Sequence, residues 1–173
     1  ESLLRESRSM VFYSDPKLRT IDFDVTFTAL AESVKFGDTK EGFFAIRLRD
    51  ELMERKGATL VNASGAKGMK QVWGKASPWN DDYGTLNGKT VGVAIFDHPT
   101  NPKHPTYWHS RDYGLFAANA LGERDFFSDK TRDGSLTIKK GQSLRFRYRV
   151  VIHPGTTEEA GIAKLYDEYT KKV

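Results

Sequence analysis

The chain has 173 residues, of which 38% are hydrophobic and 29% are charged, and these values predict one soluble domain, residues 1–173, with an ordinary core. Its 27 Lys and Arg are interspersed with 23 Asp and Glu, so no basic patch indicates nucleic-acid binding, and no apolar run reaches the roughly 20 residues that span a bilayer. The absence of cysteine excludes disulfides, thiolate zinc sites and a cysteine nucleophile, but it leaves the compartment, cytoplasmic or periplasmic, undetermined.

Three β-strands are predicted between residues 20 and 97. In residues 20–30 apolar and polar side chains alternate, which is typical of a strand with one face in a core. Residues 42–49 form a shorter apolar strand, and residues 89–97 read as a buried strand. Asn87-Gly88 stands immediately before the third strand, so we expect antiparallel hairpins.

A further strand is predicted near the C-terminus, in residues 143–152. Arg145, Arg147 and Arg149 alternate there with apolar residues. The arginine face is expected either to be solvated or to line a groove. The fold class that follows is all-β: an antiparallel β-sandwich with one C-terminal helix.

The C-terminal helix has the clearest helical signals. Thr156 and Glu159 have the spacing of a capping box. The apolar residues that follow at helical spacing are Ile162, Leu165, Tyr166 and Tyr169. Residues 65–83, in contrast, are predicted to form a long, irregular, functional loop.

Residues 73–109 contain all three tryptophans and three of the four histidines. Pro99, Pro102 and Pro105 follow the strand at 89–97, and each removes an amide donor and fixes φ, so a stiff loop is predicted. We favour a functional interpretation, in which the histidines lie at a pocket rim for hydrogen bonding or proton transfer. The alternative is a structural loop whose histidines cap backbone groups. The histidines concerned are His98, His104 and His109.

The same three imidazoles suggest a zinc site of the three-histidine type. Their separations of six and five positions across a proline-rich loop differ from the helical i, i+4 pair that aims two ligands at one metal. The spacing therefore disfavours a metal site, and no cofactor is expected.

Glu41 stands at the mouth of the strand at 42–49, and Arg47 follows within it. Together they suggest a general base and a clamp for a substrate oxygen, or else a turn and a surface ion pair; spacing alone favours the second. Trp73 and Trp79 are either flat platforms for sugar rings, beside neighbouring carboxylates and amides, or parts of the core.

Two separated motifs resemble those of the bacterial PmoA-like family. The longer one covers residues 91–119 and contains the run Asp97-His98-Pro99-Thr100-Asn101-Pro102-Lys103-His104-Pro105. The second covers residues 38–42 with Ile46-Arg47, and the resemblance extends over nearly the whole chain from about Leu4. That family is often labelled methane oxygenase, but the methane monooxygenase subunit of that name crosses the membrane several times, whereas this chain has no spanning segment.

The resemblance implies a β supersandwich similar to galactose mutarotases, a fold shared by sugar epimerases, polysaccharide lyases and some glycoside hydrolases. The function expected is binding of a sugar or sugar derivative on the concave face of the sandwich, with an enzyme favoured that carries out epimerisation, elimination or hydrolysis by acid/base chemistry. The alternatives are a non-catalytic glycan-binding module and a metal-dependent oxygenase or hydrolase.

The expected catalytic residues are His98, His104, His109 and Glu41, a histidine acting as acid or base and the carboxylate opposing it. The expected substrate-binding residues are Arg47, Arg111, Trp73, Trp79, Trp108, Asp97 and Asn119. Members of the family carry a further β-rich region upstream of the position where this chain begins. A partner chain or a missing N-terminal half is therefore expected to complete the sheets.

Overall fold

The computed structural model of the protein describes residues 2–171. Within them the chain forms eleven β-strands: β1 Leu4–Ser14, β2 Arg19–Ala29, β3 Ser33–Phe36, β4 Phe44–Arg47, β5 Thr59–Asn62, β6 Trp79–Leu86, β7 Lys89–Asp97, β8 Tyr107–Trp108, β9 Leu115–Asn119, β10 Leu136–Lys139 and β11 Ser143–Pro154. The helices are α1 Met69–Val72, α2 Glu123–Phe126 and α3 Ile162–Thr170, and two 3-10 turns lie at Asp50–Leu52 and Glu54–Lys56. Within this part of the chain, no helix is both long and apolar enough to cross a bilayer.

The strands form one large and two small antiparallel sheets. The large sheet has six strands in the order β1-β2-β11-β7-β6-β5. A three-stranded sheet, β4-β9-β8, and a two-stranded sheet, β10-β3, share its hydrophobic core. The predicted all-β sandwich with one C-terminal helix is confirmed.

Aromatic side chains fill the core between these sheets. Phe44 of β4 stacks on Tyr148 of β11 with ring centroids 4.4 Å apart, and Phe43 contacts Phe146 at 4.5 Å. Trp108 is fully buried in the same core. Burial of such a side chain contributes about 1.5–3 kcal/mol, so these contacts fix the position of the small sheet on the large one.

A second, smaller core lies on the opposite face of the large sheet, beneath α3. Ile162 and Tyr169 of the helix are buried against Phe96 and Val151 of the sheet. The apolar helix face predicted from sequence is therefore confirmed, and it holds α3 against β7 and β11.

The predicted capping box forms, but it does not begin the helix. The amide of Thr156 donates to the Glu159 carboxylate at 2.8 Å, and the amide of Glu159 donates to the Thr156 hydroxyl at 3.3 Å. These bonds close a separate turn. Gly161 then adopts a φ of +67°, and α3 begins at Ile162, because the left-handed residue redirects the chain before the helix.

Most of the predicted strands are confirmed with small changes of boundary. Residues 89–97 match β7, residues 20–30 correspond to β2, and residues 143–152 extend to Pro154 in β11. The strand predicted at 42–49 is shorter, covering Phe44–Arg47. Asn87 and Gly88 have φ values of +51° and +75°, so they form the two-residue turn that joins β6 to β7 as a hairpin.

The prediction of an irregular loop over residues 65–83 is wrong for its last part. Residues 79–86 form β6, which pairs with β7 on one side and β5 on the other. The error arose because Asn80, Asp81 and Asp82 are polar and therefore resemble a loop, yet all three are buried.

The outermost strand of the large sheet, β1, pairs with β2 along its full length of 11 residues. Several of its apolar side chains are exposed, and Phe12 is 68% exposed. Long apolar edge strands invite pairing with another strand. The expected covering of this edge by a partner chain or an upstream region stays a prediction.

Candidate functional site

The outer face of the three-stranded sheet carries several of the residues singled out in the sequence. Backbone hydrogen bonds to β9 continue the strand pairing past the end of β8. Side chains alternate along such a segment, so Tyr107, His109 and Arg111 lie on the side opposite the core-facing Trp108. On β4, Arg47 shares that side because its neighbour Ile46 packs into the core. Strand alternation therefore brings a histidine and two arginines to one surface.

His109 is held by a backbone contact from a distant segment. Its Nδ1 lies 2.5 Å from the carbonyl oxygen of Lys40, and because a carbonyl only accepts, Nδ1 carries the proton and Nε2 is the basic atom of the neutral ring. The ring is 3% exposed. Burial lowers the pKa of His109, although the Lys40 carbonyl and the charge of Glu41 act in the opposite direction.

Trp73 lies directly against this histidine. Its ring is perpendicular to that of His109, with centroids 6.3 Å apart, and it contacts Phe126 of α2 in the same manner at 5.3 Å. Trp73, Met69, Lys70 and Arg111 line a cleft of about 210 Å³, which we call the Trp73 cleft. Of the three tryptophans, only Trp73 is more than marginally exposed.

Two hydrogen-bond donors at the Trp73 cleft lack a partner within residues 2–171. They are the indole Nε1 of Trp73 and the guanidinium Nε of Arg111, and both atoms are buried. Buried donors are normally paired with protein or water. Ligand oxygens that enter the cleft are suitable acceptors for them.

The two arginines of this face meet at one aromatic ring. The guanidinium carbons of Arg47 and Arg111 lie 5.2 Å and 5.7 Å from the centroid of the Tyr113 ring. Arg47 also donates to the Tyr113 carbonyl at 3.3 Å. Cation–π contacts of this kind hold guanidinium groups in place without neutralising them, so this edge of the site stays positive.

Glu41 lies beside the site and is oriented by its neighbours. Its side chain is 72% exposed, and its nearest cation is Lys40 at 3.9 Å. The backbone carbonyl of Thr39, two residues earlier, accepts a hydrogen bond at 2.9 Å from the buried side-chain amide of Asn119. Asn119 therefore positions the 39–41 segment, and its side chain is committed to that role because its oxygen also accepts the amide of Leu121.

Asp97 braces the proline-rich loop instead of lining the Trp73 cleft. Its carboxylate is fully buried and accepts hydrogen bonds from the side chain of Asn101 and the backbone amide of Thr106. A third bond, at 2.7 Å, joins it to Nδ1 of His104. These contacts match the structural interpretation of the loop for His104 and Asp97.

His98 lies on the other side of the molecule. Its ring packs edge-on against Tyr169 of α3, with centroids 5.1 Å apart, and it lines a different cleft. His98 follows directly after β7 and lies at the outer face of the large sheet, whereas His109 lies on the three-stranded sheet. The three histidines do not converge.

The other two tryptophans are core residues. Trp108 is fully buried and donates its indole N–H to the Ser77 carbonyl at 2.9 Å. Trp79 is 7% exposed and packs beneath α3. Neither presents a ring face to the Trp73 cleft, so of the three tryptophans only Trp73 is placed to act as a platform.

Three contributors to this site were not identified from the sequence. Lys40 acts through its backbone carbonyl, so its side-chain type carried no signal. Phe126 and Tyr113 come from short segments, α2 and the turn before β9, in which no periodic pattern is visible. Across residues 2–171, no group of three or more His, Cys, Asp or Glu side chains is arranged to hold a metal ion.

The fold and the site together define an antiparallel β-sandwich protein. Its cleft is lined by aromatic and basic side chains and lies at the outer face of the three-stranded sheet. Residues 1–167 match the model of a family of unknown function, DUF6807. The chain therefore belongs to the DUF6807 family. No curated protein and no solved structure matches it significantly.

Proposed function

We propose that this chain is carbohydrate-active, with an enzyme favoured, and that it binds a sugar or sugar derivative in the Trp73 cleft. His109 is the acid or base, and Glu41 is the opposing carboxylate. Arg111 and Arg47 bind substrate oxygens. The proposal rests on the residues on the small sheet and on the resemblance to the PmoA-like family, with its mutarotase-like fold.

The position of His109 carries the proposal. Donation from its Nδ1 to the Lys40 carbonyl fixes the tautomer and leaves Nε2 as the proton acceptor of a ring that packs edge-on against Trp73. Because burial lowers its pKa, the ring is neutral near pH 7 and able to accept a proton. If His109 had only a structural role, its contact with the tryptophan that lines the cleft would not be needed.

The composition of the cleft favours a sugar as the ligand. The apolar face of a sugar ring packs on an indole, and its hydroxyl groups bond to surrounding donors. Trp73 supplies the ring, while Lys70 and Arg111 supply donors at the same cleft. The Nε1 of Trp73 and the Nε of Arg111 have no acceptor within residues 2–171, and hydroxyl oxygens of a sugar are suitable acceptors for both donors.

Polarimetry of freshly dissolved α-D-galactose and α-D-glucose tests the catalytic part of the proposal, because mutarotation requires only proton transfer. We expect the wild type to accelerate mutarotation and H109Q to reduce that acceleration by a factor on the order of 100 to 10,000. H104Q is the matched control, since His104 bonds to Asp97 away from the cleft. Equal rates for H109Q and the wild type would remove the role of His109.

A glycan-binding module is the second candidate, and the exposure of Glu41 favours it. A carboxylate that is 72% exposed is not held against a reacting atom as a catalytic group usually is. Sugar binding reported by Trp73 fluorescence, without acceleration of mutarotation, elimination or hydrolysis, would favour the module. W73F should abolish the fluorescence change in either case.

A further inference from the structure

A second cleft lies on the outer face of the large sheet and is independent of the Trp73 cleft. It has a volume of about 230 Å³ and lies where β1, β2 and β11 approach α3. Asp22 and Asp24 of β2 and Arg147 and Arg149 of β11 line it, together with His98. We call it the arginine cleft. The arginine face predicted from the sequence alternation lines a groove here.

Two of the three arginines on this face are already paired. Arg149 donates two hydrogen bonds to the carboxylate of Asp22, at 2.5 Å and 2.7 Å. Arg145 forms the same two-pronged contact with Asp24. These cross-strand pairs neutralise both aspartates. Arg149 faces Asp22 directly in the register of β2 and β11, whereas Arg145 reaches Asp24 diagonally, because the residue directly opposite Asp24 is Arg147.

Arg147 lies between these pairs and forms no ion pair within residues 2–171. One terminal nitrogen donates to the hydroxyl of Thr100, and its Nε is buried without a partner. The backbone of Arg147 is well tied, since its amide donates to Asn101 and its carbonyl accepts from Asn101 and His98. A fixed backbone thus presents a guanidinium whose charge is not matched by a carboxylate of its own.

His98 adds a neutral donor to the same cleft. Its Nδ1 accepts the backbone N–H of Thr100 at 3.2 Å, so the neutral ring carries its proton on Nε2. In the described part of the chain, Nε2 has no hydrogen-bond partner. Val11 and Phe23 supply apolar lining.

We propose that the arginine cleft binds the carboxylate of a small organic acid, with the guanidinium of Arg147 and the Nε2–H of His98 as donors. Arg145 does not line the cleft but neutralises Asp24, so the three arginines and two aspartates of this face leave one positive charge, which suits a monoanion. A guanidinium presents parallel donors to a carboxylate, and hydrogen bonds between charged groups are about twice as strong as neutral ones. A volume of about 230 Å³ limits the ligand to a small molecule.

Calorimetric titration with benzoate, compared with its neutral isostere benzamide, tests the proposal. We expect the wild type to bind benzoate at least tenfold more tightly than benzamide, and R147Q to lose at least tenfold in benzoate affinity. The double variant R145Q/D24N is the matched control, because it removes the neighbouring ion pair as a unit and leaves no unpaired carboxylate opposite Arg147. It should change the affinity by less than about threefold.

Several results would overturn the proposal: no benzoate binding, equal binding of benzoate and benzamide, or equal losses in R147Q and R145Q/D24N. Tighter binding of a tripeptide with a free C-terminal carboxylate would assign the cleft to a chain terminus instead of a small acid. If R147Q does not fold, two other measurements apply. R147K should weaken benzoate binding, and benzoate should shift the ring signals of His98 but not those of His104 in NMR spectra.

Discussion

Replacement of Asp82 by asparagine is expected to stabilise the protein, with an effect that grows with pH. Asp82 lies on β6 beside Leu60 and Val93, both of which face the main core. It is 3% exposed, and one of its carboxylate oxygens has no partner within residues 2–171. Burial, reinforced by the charges of Asp81 and Glu54, raises the pKa of Asp82 to about 8.

The magnitude follows from proton linkage. The folded state keeps the proton up to about pH 8, whereas the unfolded chain releases it near the ordinary pKa of 3.8. Stability is therefore lost as the pH rises from about 4 to about 8, at about 1.4 kcal/mol per pH unit. Asparagine resembles the protonated carboxyl but has no proton to release, so D82N should raise the free energy of unfolding by about 4 kcal/mol at pH 7 and by about 2 kcal/mol at pH 5.

Urea denaturation monitored by tryptophan fluorescence at pH 5, 7 and 8.5 measures this difference. D81N is the matched control from the neighbouring position. Asp81 accepts hydrogen bonds from His153 at 2.9 Å and Thr157 at 2.6 Å, so its loss should destabilise the fold by about 3 kcal/mol. If D82N has the stability and pH dependence of the wild type, the assignment of a retained proton to Asp82 is incorrect.

Three further substitutions test other contacts. G92A places a Cβ 2.4 Å from the ring of the buried His153; we expect a loss of about 3 kcal/mol in thermal unfolding, and a melting temperature equal to wild type would contradict this packing. Burial and, to a smaller extent, the nearby charge of Arg147 lower the pKa of His98 to about 4. The stability that comes from keeping this ring neutral is therefore complete above about pH 6.5 and is lost as the pH falls towards 4. H98Q should reduce the change of the denaturation midpoint between pH 4 and 6, and an unchanged pH dependence would argue against this assignment. N119A leaves the Thr39 carbonyl without its donor and should lower the free energy of unfolding by about 1–3 kcal/mol. Amide hydrogen exchange in residues 39–41 should also become faster, and unchanged slow exchange there would show that Asn119 does not hold this segment.

Local sequence patterns predicted the parts of the fold that depend on neighbouring residues. Alternation identified β2 and β11, and Asn87-Gly88 identified the β6–β7 turn, because the side-chain period and the turn dihedrals are properties of a few consecutive residues. The same reasoning placed β6 in a loop. The buried Asp81 is compatible with a strand only because His153 and Thr157, distant in sequence, satisfy its carboxylate.

The candidate site also combines features that the local sequence determines with features that depend on distant contacts. The sequence determined that imidazole and indole groups are concentrated between residues 73 and 109 and that basic side chains share one face of β11. Only the tertiary structure decided that His109 joins Trp73 while His98 turns to the opposite side of the large sheet. Strand alternation and sheet order set the side to which each ring points, and sheet order depends on contacts between residues far apart in the chain. A single sequence does not encode those contacts as a local pattern.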